Sequence, residues 1–274
     1  MKNMKIAGLI LFGLIIVTNS FGQTGSTEQL TVPLSSPGKP YSLKVHLVTG
    51  AIKVSGYEGK DIIINVTPRD GEEEKPKSSE NGMKRISSSG GYEVTAKEAD
   101  NTVTVNTGNP MKAIDLSLKI PQDVKLKIGT VNDGDVEIEN LKGELEVNNV
   151  NDQITLNNIS GSVVANTVNG DVTVTFSSVD AKAPMAFSTL NGDVKVTLPA
   201  DTKANMKLKS DMGDVFSDFD IDIDKTPTKV DKTTEPGMYK IKKDDWVYGK
   251  INGGGPEMMM KTMQGDIYVK KASK

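Results

Sequence analysis

The sequence predicts an all-β fold, a parallel β-solenoid of stacked short strands built from nonapeptide units. Three observations carry that expectation. Glycine recurs at a spacing of nine through the centre of the chain, at Gly134, Gly143, Gly161 and Gly170, with Asp152 in the place of a fifth. Apolar residues follow each glycine at the third, fifth and eighth positions, as in Gly143, Leu145, Val147, Val150 and in Gly161, Val163, Ala165, Val168. Val, Ile and Thr fill these segments, as a pleated, half-buried surface favours.

Each position has a physical reading. Residues two apart point to one face of a strand. The step of three that follows marks a corner, after which position eight is expected to turn inward. Glycine then takes the backbone angle that closes the corner, and the neighbouring Asp or Asn bonds local amides. A unit this short cannot bury its own face, so neighbours must stack. The unit recurs around Gly50, Gly192, Gly213 and Gly265, and Asp133 is one extra residue read as a bulge. By the same spacing Met258, Met260 and Met263 are core positions rather than a soft-metal site. Asn169-Gly170 and Asn191-Gly192 could instead mark two-residue hairpins. That loop would throw Val168 and Val172 onto opposite faces, whereas the pattern keeps them together. Strands ending at Pro121 and Pro199 fit the same plan, since proline cannot continue a ladder.

The organisation expected is a signal peptide over residues 1–22, a lead-in over 23–40 and one solenoid domain over 41–271. Lys2 and Lys5 precede the apolar run Ile6–Val17, and Ser20-Phe21-Gly22 supplies small residues for cleavage. That run is shorter than the roughly 20 residues a membrane helix needs. The chain is therefore expected to be exported, to the periplasm, the outer surface or the medium, with no integral span after cleavage. Pro68 to Gly91 reads as a charged mobile insertion. Residues 217–255 read as an irregular segment before the last coil.

Composition excludes several classes. There is no cysteine, hence no disulfide framework and no thiolate chemistry. The formal charge is −3, and losing Lys2 and Lys5 makes it two units more negative, so no nucleic-acid surface is expected. His46 is the single histidine and alternates outward beside Lys44. A triad or a His-based metal site would need partners it lacks.

At this point the residues resemble a known family. The recurring Val-Asn-Gly-Asp-Val, the strand-Pro-x-Asp turn and the closing Gln264-Gly265-Asp266-Ile267-Tyr268-Val269 are similar to the DUF4097 group, also labelled adhesin or toastrack domains of bacterial envelopes. The export signal ending Ser-Phe-Gly-Gln resembles those of the Bacteroidetes. The resemblance spans about residues 40–271 and rests on structural motifs. It implies a β-solenoid and either surface adhesion or envelope-stress sensing.

The candidate chemistry is sparse. Asp218, Asp220, Asp222 and Asp224 alternate with apolar residues. If that segment is a strand, four carboxylates share one face about 7 Å apart. They would then be a weak Ca²⁺ candidate, set against a solvated face that keeps an edge from pairing. The Gly-Asp pairs read as ordinary turns, because each offers too few oxygens for calcium. Trp246 and Tyr248, with Tyr239 nearby, are expected to cap the solenoid rather than to form a platform. Paired acids about 5–10 Å apart would be needed for a polysaccharide lyase or hydrolase. The acids here sit at outward parity beside lysines, so a non-catalytic interaction module is expected, without cofactor. Its partner is unidentified, a surface glycan or an envelope protein being the kinds considered. A periplasmic envelope-stress sensor or scaffold is the alternative, and a β-helix polysaccharide enzyme the second.

Overall fold

The computed structural model describes residues 27–69, 91–225, 230–235, 238–243 and 245–273, with backbone alone over 230–243. The expected signal peptide and most of the expected charged insertion lie outside the described residues. Every regular element among those described is a strand. In chain order they are β1 (Glu28–Pro33), β2 (Tyr41–His46), β3 (Ile52–Tyr57), β4 (Asp61–Pro68), β5 (Val94–Ala99), β6 (Thr102–Thr107), β7 (Ile114–Pro121), β8 (Asp123–Gly129), β9 (Val136–Glu139), β10 (Lys142–Asn148) and β11 (Ile154–Asn166). There follow β12 (Val172–Val179), β13 (Met185–Ser188), β14 (Val194–Leu198), β15 (Ala204–Ser210), β16 (Val215–Ser217), β17 (Ile221–Ile223), β18 (Val230–Glu235), β19 (Met238–Lys243), β20 (Val247–Ile251), β21 (Glu257–Thr262) and β22 (Ile267–Lys271).

Two ladders run side by side. One passes through β5, β6, β2, β8, β10, the second half of β11, β13, β21, β15, β20 and β17. The other passes through β1, β4, β7, β3, β9, the first half of β11, β12, β14, β22 and β16. Through the parallel interior each turn of chain lays one strand in each ladder. The protein is thus all-β and solenoid-like, but its sheet is mixed and not plainly parallel. Pairing is parallel in the interior and antiparallel towards the ends, where β4 lies against β1 and β7, β5 against β6, and β20 against β15 and β17. Antiparallel strands over the last coils limit the open parallel edges that would invite other chains.

Coil order also departs from chain order. The β2–β3 coil lies between the β6–β7 and β8–β9 coils, and the β21–β22 coil between β13–β14 and β15–β16. The irregular segment expected over 217–255 holds β20, which covers β15, β17, which pairs with β20, and the separate β18–β19 pair.

Inward alternation fills one continuous core. Leu43, Val45, Ile52, Val54, Ile128, Val136, Val147, Ile154, Val172 and Phe187 are wholly buried. Phe176 meets Phe187 edge to face at 6.2 Å between ring centroids, a preferred aromatic geometry. Each such side chain contributes roughly 1.5–3 kcal/mol of burial.

The structural period is twice the sequence period. Equivalent side chains on neighbouring coils, such as Asn140 and Asn158 or Asn148 and Asn166, are 18 residues apart. Two corner types therefore hide under one spacing of nine. At one, position eight does turn inward, as Leu141 and Ile159 are buried. At the other the expectation fails. Val48, Val131, Val168, Leu190 and Met263 are 37–43 % exposed. Position seven goes inward instead, as Leu47, Thr130, Asn149, Thr167, Thr189 and Thr262. Met258 and Met260 are core as expected, and Met263 is the exception.

The glycines serve this stacking. Gly161 has φ +127, and a Cβ there would collide with the carbonyl oxygen of Gly143 in the next coil. Gly134 reaches the same end differently. Asp133 takes the left-handed angle, φ 55, absorbing the extra residue, while a Cβ on Gly134 would strike the backbone at Gly50–Ala51. Close axial approach excludes a side chain at both positions, not backbone angle alone.

Candidate interaction surface

The second corner type builds an ordered surface from the tetrads Gly-Thr-Val-Asn, Asn-Asn-Val-Asn, Asn-Thr-Val-Asn and Ser-Thr-Leu-Asn that end at Asn132, Asn151, Asn169 and Asn191. Inside it, polar side chains bond backbone carbonyls of the neighbouring coil. Thr167 Oγ1 donates to the Asp152 carbonyl at 2.9 Å, Thr189 to Gly170 at 2.8 Å and Thr262 to Gly192 at 2.8 Å. Asn149 Nδ2 donates to the Gly134 carbonyl at 3.2 Å and Ser210 Oγ to Gly265 at 2.8 Å. Buried hydroxyls and amides satisfied in this way avoid the cost of an unmade bond.

Outside it, the asparagines form a ladder. Asn151 Nδ2 donates to Asn132 Oδ1 at 2.9 Å, Asn169 to Asn151 at 3.1 Å and Asn191 to Asn169 at 2.7 Å. Beside it runs the aliphatic column Val48, Val131, Val150, Val168, Leu190 and Met263, one residue per coil. Backbone bonds from Asn132 to Val48, Asn169 to Val150, Asn191 to Val168 and Gln264 to Leu190 hold the column in register. Single exposed aliphatics need no explanation, but five exposed side chains in one file with the half-buried Val150 form a contiguous patch. The tetrads from Gly129 to Asn191 carry no charge. At one end lies a shallow hollow of about 330 Å³, lined by His46, Val48, Asn106, Gly129, Val131 and Asn148.

The Gly-Asp carboxylates bind the next coil. Asp171 Oδ1 accepts the Asp193 amide, Asp193 Oδ1 that of Asp266, and Asp266 Oδ1 that of Asp214, each at 2.9 Å. Lys195 Nζ bridges Asp171 and Asp193 at 2.7 and 3.0 Å. Partial burial pushes the Asp193 carboxyl up, but the Asp266 amide and Lys195 outweigh it and hold the group below the usual carboxylate range.

The other sequence candidates are dispersed. The segment holding Asp218, Asp220, Asp222 and Asp224 is a strand only over Ile221–Ile223, with a bend at 218–219, so the single carboxylate face does not form. All four residues are exposed, and Asp218 Oδ2 accepts the Lys271 amide at 3.3 Å. Among the described residues no group of three or more His, Asp or Glu is arranged to hold a metal. Trp246 and Tyr248 do not plug the core. Val247 between them packs inward, so both aromatics face out, with Lys207 Nζ 4.9 Å over the Trp246 ring. Ile251 and Phe219 fill the end of the core in their place. Tyr239 lies where backbone alone is described. His46 is exposed, as alternation requires.

Two further carboxylates are held in their charged form. The Ser35 hydroxyl, with backbone amides, lowers the Glu98 carboxyl, and Lys127 lowers Glu146. A general acid needs its carboxyl raised.

Sequence reasoning missed the asparagine ladder and the outward column. Their signal was present at position nine, where Asn151 and Asn169 mark only the alternate corners and Lys142 and Ser160 stand at the others.

Comparison with known families decides the lineage. The family model for Toastrack DUF4097 matches residues 115–270. The chain belongs to the Toastrack DUF4097 family. The match takes in the coils from β7 to β22 and the whole asparagine ladder. Among solved structures, the chain is similar to a "putative cell adhesion protein" from Clostridium sporogenes. Identity is 17%, with 90% of this chain and 100% of that one covered, at a TM-score of 0.44. It is also similar to a "putative adhesin" from Bacteroides fragilis, with 11% identity, 90% and 97% coverage and a TM-score of 0.38. Likenesses this distant say nothing about what a Toastrack domain contacts. A search of curated proteins found no match. Among the described residues no helix is long and apolar enough to cross a membrane.

Proposed function

We propose that this chain is an exported, non-catalytic interaction module of adhesin-like type, which makes its contacts along the uncharged corner on a rigid stack of parallel coils. The file of exposed aliphatic residues from Val48 to Met263, locked beside a hydrogen-bonded asparagine ladder, carries the reading. A surface that leaves five apolar side chains exposed in register, with Val150 half-buried among them, is disfavoured unless something covers it. Fixed in place by the ladder, the column loses little conformational freedom on contact, which favours binding.

The test is attachment of cells that carry the wild-type chain or Leu190→Glu, together with surface labelling of lysines before and after lysis. Labelling on intact cells, with attachment lost in the variant, supports the reading. Labelling only after lysis places the chain in the periplasm and turns the reading towards an envelope scaffold or sensor. Unchanged attachment by the variant removes the corner from consideration.

A further inference from the structure

The corner has a shape that selects a partner. Its bulkiest members, Leu190 and Met263, stand at one end. The hollow of about 330 Å³ at the other end opens where Gly129 withholds a side chain next to Val131 and Val48. Bulk and hollow lie on the same file of residues, at opposite ends. A two-fold axis perpendicular to the file, between Val150 and Val168, would lay each bulky end into the other copy's hollow. It would set Val150 against the partner's Val168.

We propose that the occupant of this corner is the same corner of a second copy, applied antiparallel about that axis. The inference rests on the proposed interaction role and names its partner. Three further observations bear on it. An isologous contact sets one patch against a copy of itself, so a file of like charges would repel its partner. The four central tetrads carry no charge, in a chain where one residue in four is charged. A second copy also repeats at the same spacing, about 4.8 Å per strand. Side chains that interlock at one coil therefore interlock at all of them. Finally, six coils cover about 24 Å, and a contact about 15 Å wide buries roughly 700 Å² over both copies, below the ~1,200 Å² of a stable complex. The pair is weak and reversible, and repetition between two surfaces supplies its strength through avidity. An antiparallel arrangement is also the one that copies presented from facing surfaces can adopt.

Sedimentation of the purified mature chain, from about 10 μM to 1 mM, is the first arm of the test. Reversible dimerisation with a dissociation constant near 100 μM, little changed by salt, is expected. Leu190→Glu should weaken it at least tenfold while leaving the melting temperature unchanged, since that side chain is exposed. The second arm uses the absence of native cysteine. Val150→Cys mixed with Val168→Cys should form a mixed disulfide faster than either variant alone. Faster cross-linking within one variant than in the mixture would overturn the antiparallel register. A strictly monomeric protein at 1 mM would overturn the proposal. If such a monomer still lost attachment with Leu190→Glu, the interaction reading would stand and its partner would be something else. A neutral glycan, tested by titration with uncharged polysaccharide, would be the next occupant to try.

Discussion

Thr189 Oγ1 donates a hydrogen bond to the carbonyl oxygen of Gly170 at 2.8 Å, one coil away, while Leu190 beside it faces solvent. A hydroxyl is thus inside and an aliphatic side chain outside, the reverse of the usual arrangement. The inversion makes the corner both a structural tie and an exposed surface.

Replacing Thr189 by Val keeps the shape and removes the donor. The expected loss is about 1–2 kcal/mol in denaturant unfolding. The opposite exchange next door, Val168→Thr, should move stability by less than about 0.5 kcal/mol. Equal effects at the two positions would refute the inside–outside assignment.

Gly161→Ala combines positive φ with collision against the Gly143 carbonyl. Gly253 has φ +85 and nothing within 4 Å of a built Cβ, so Gly253→Ala feels backbone angle alone. The second change should cost about 1–2 kcal/mol, and the first measurably more. Thermal melts of the two variants decide whether close stacking or backbone angle conserves room at the corner.

Asp193 gives a pH dependence with a definite sign. Its carboxyl is held below the ordinary range in the folded protein, so its contribution is present above the unfolded-state pKa. It is lost as pH falls through the lower, folded value. Melting temperature should therefore fall between about pH 5 and pH 2, and Asp193→Asn should flatten part of that slope. The asparagine oxygen can still accept the Asp266 amide, so the flattening would isolate the charge opposite Lys195.

Calcium should leave the melting temperature unchanged at millimolar concentration, because Asp218, Asp220, Asp222 and Asp224 do not share a strand face. A ligand at about 100 times its dissociation constant would add roughly 2.7 kcal/mol of stability. A rise of that size, abolished by Asp220→Asn with Asp222→Asn, would restore the cation site.

The strands were legible because alternation is a local signal. Leu145 and Val147, or Val172 and Val174, declare one buried face without reference to anything distant. The corners were half legible. Leu141 and Val150 occupy the same position in successive units, yet one is buried and the other half-buried, because one coil needs two different corners. The residue before is asparagine in both, and only its conformation separates them: Asn140 takes φ 58 ahead of Leu141, while Asn149 ahead of Val150 bonds inward. Coil order was not legible. Val45 pairs with Ile128 and Val105, far along the chain, and many similar strands could have taken either place. Trp246 was misplaced for a related reason, since parity fixes which residues share a face but not which face is the core.

The interleaved coil order has a consequence for how the molecule is made and loaded. The last strands synthesised, β21 and β22, are gripped on both sides, by β13 and β14 and by β15 and β16. The stack therefore stays open by one slot until β21 and β22 are available. A stack of this design behaves as a latch whose bolt is the β21–β22 coil. Tension applied at the C-terminus must shear β22 from two neighbours at once, whereas tension at β1 peels a single edge. The β1 and β22 attachments are therefore mechanically unequal, and β22 is the strand better suited to carry a load.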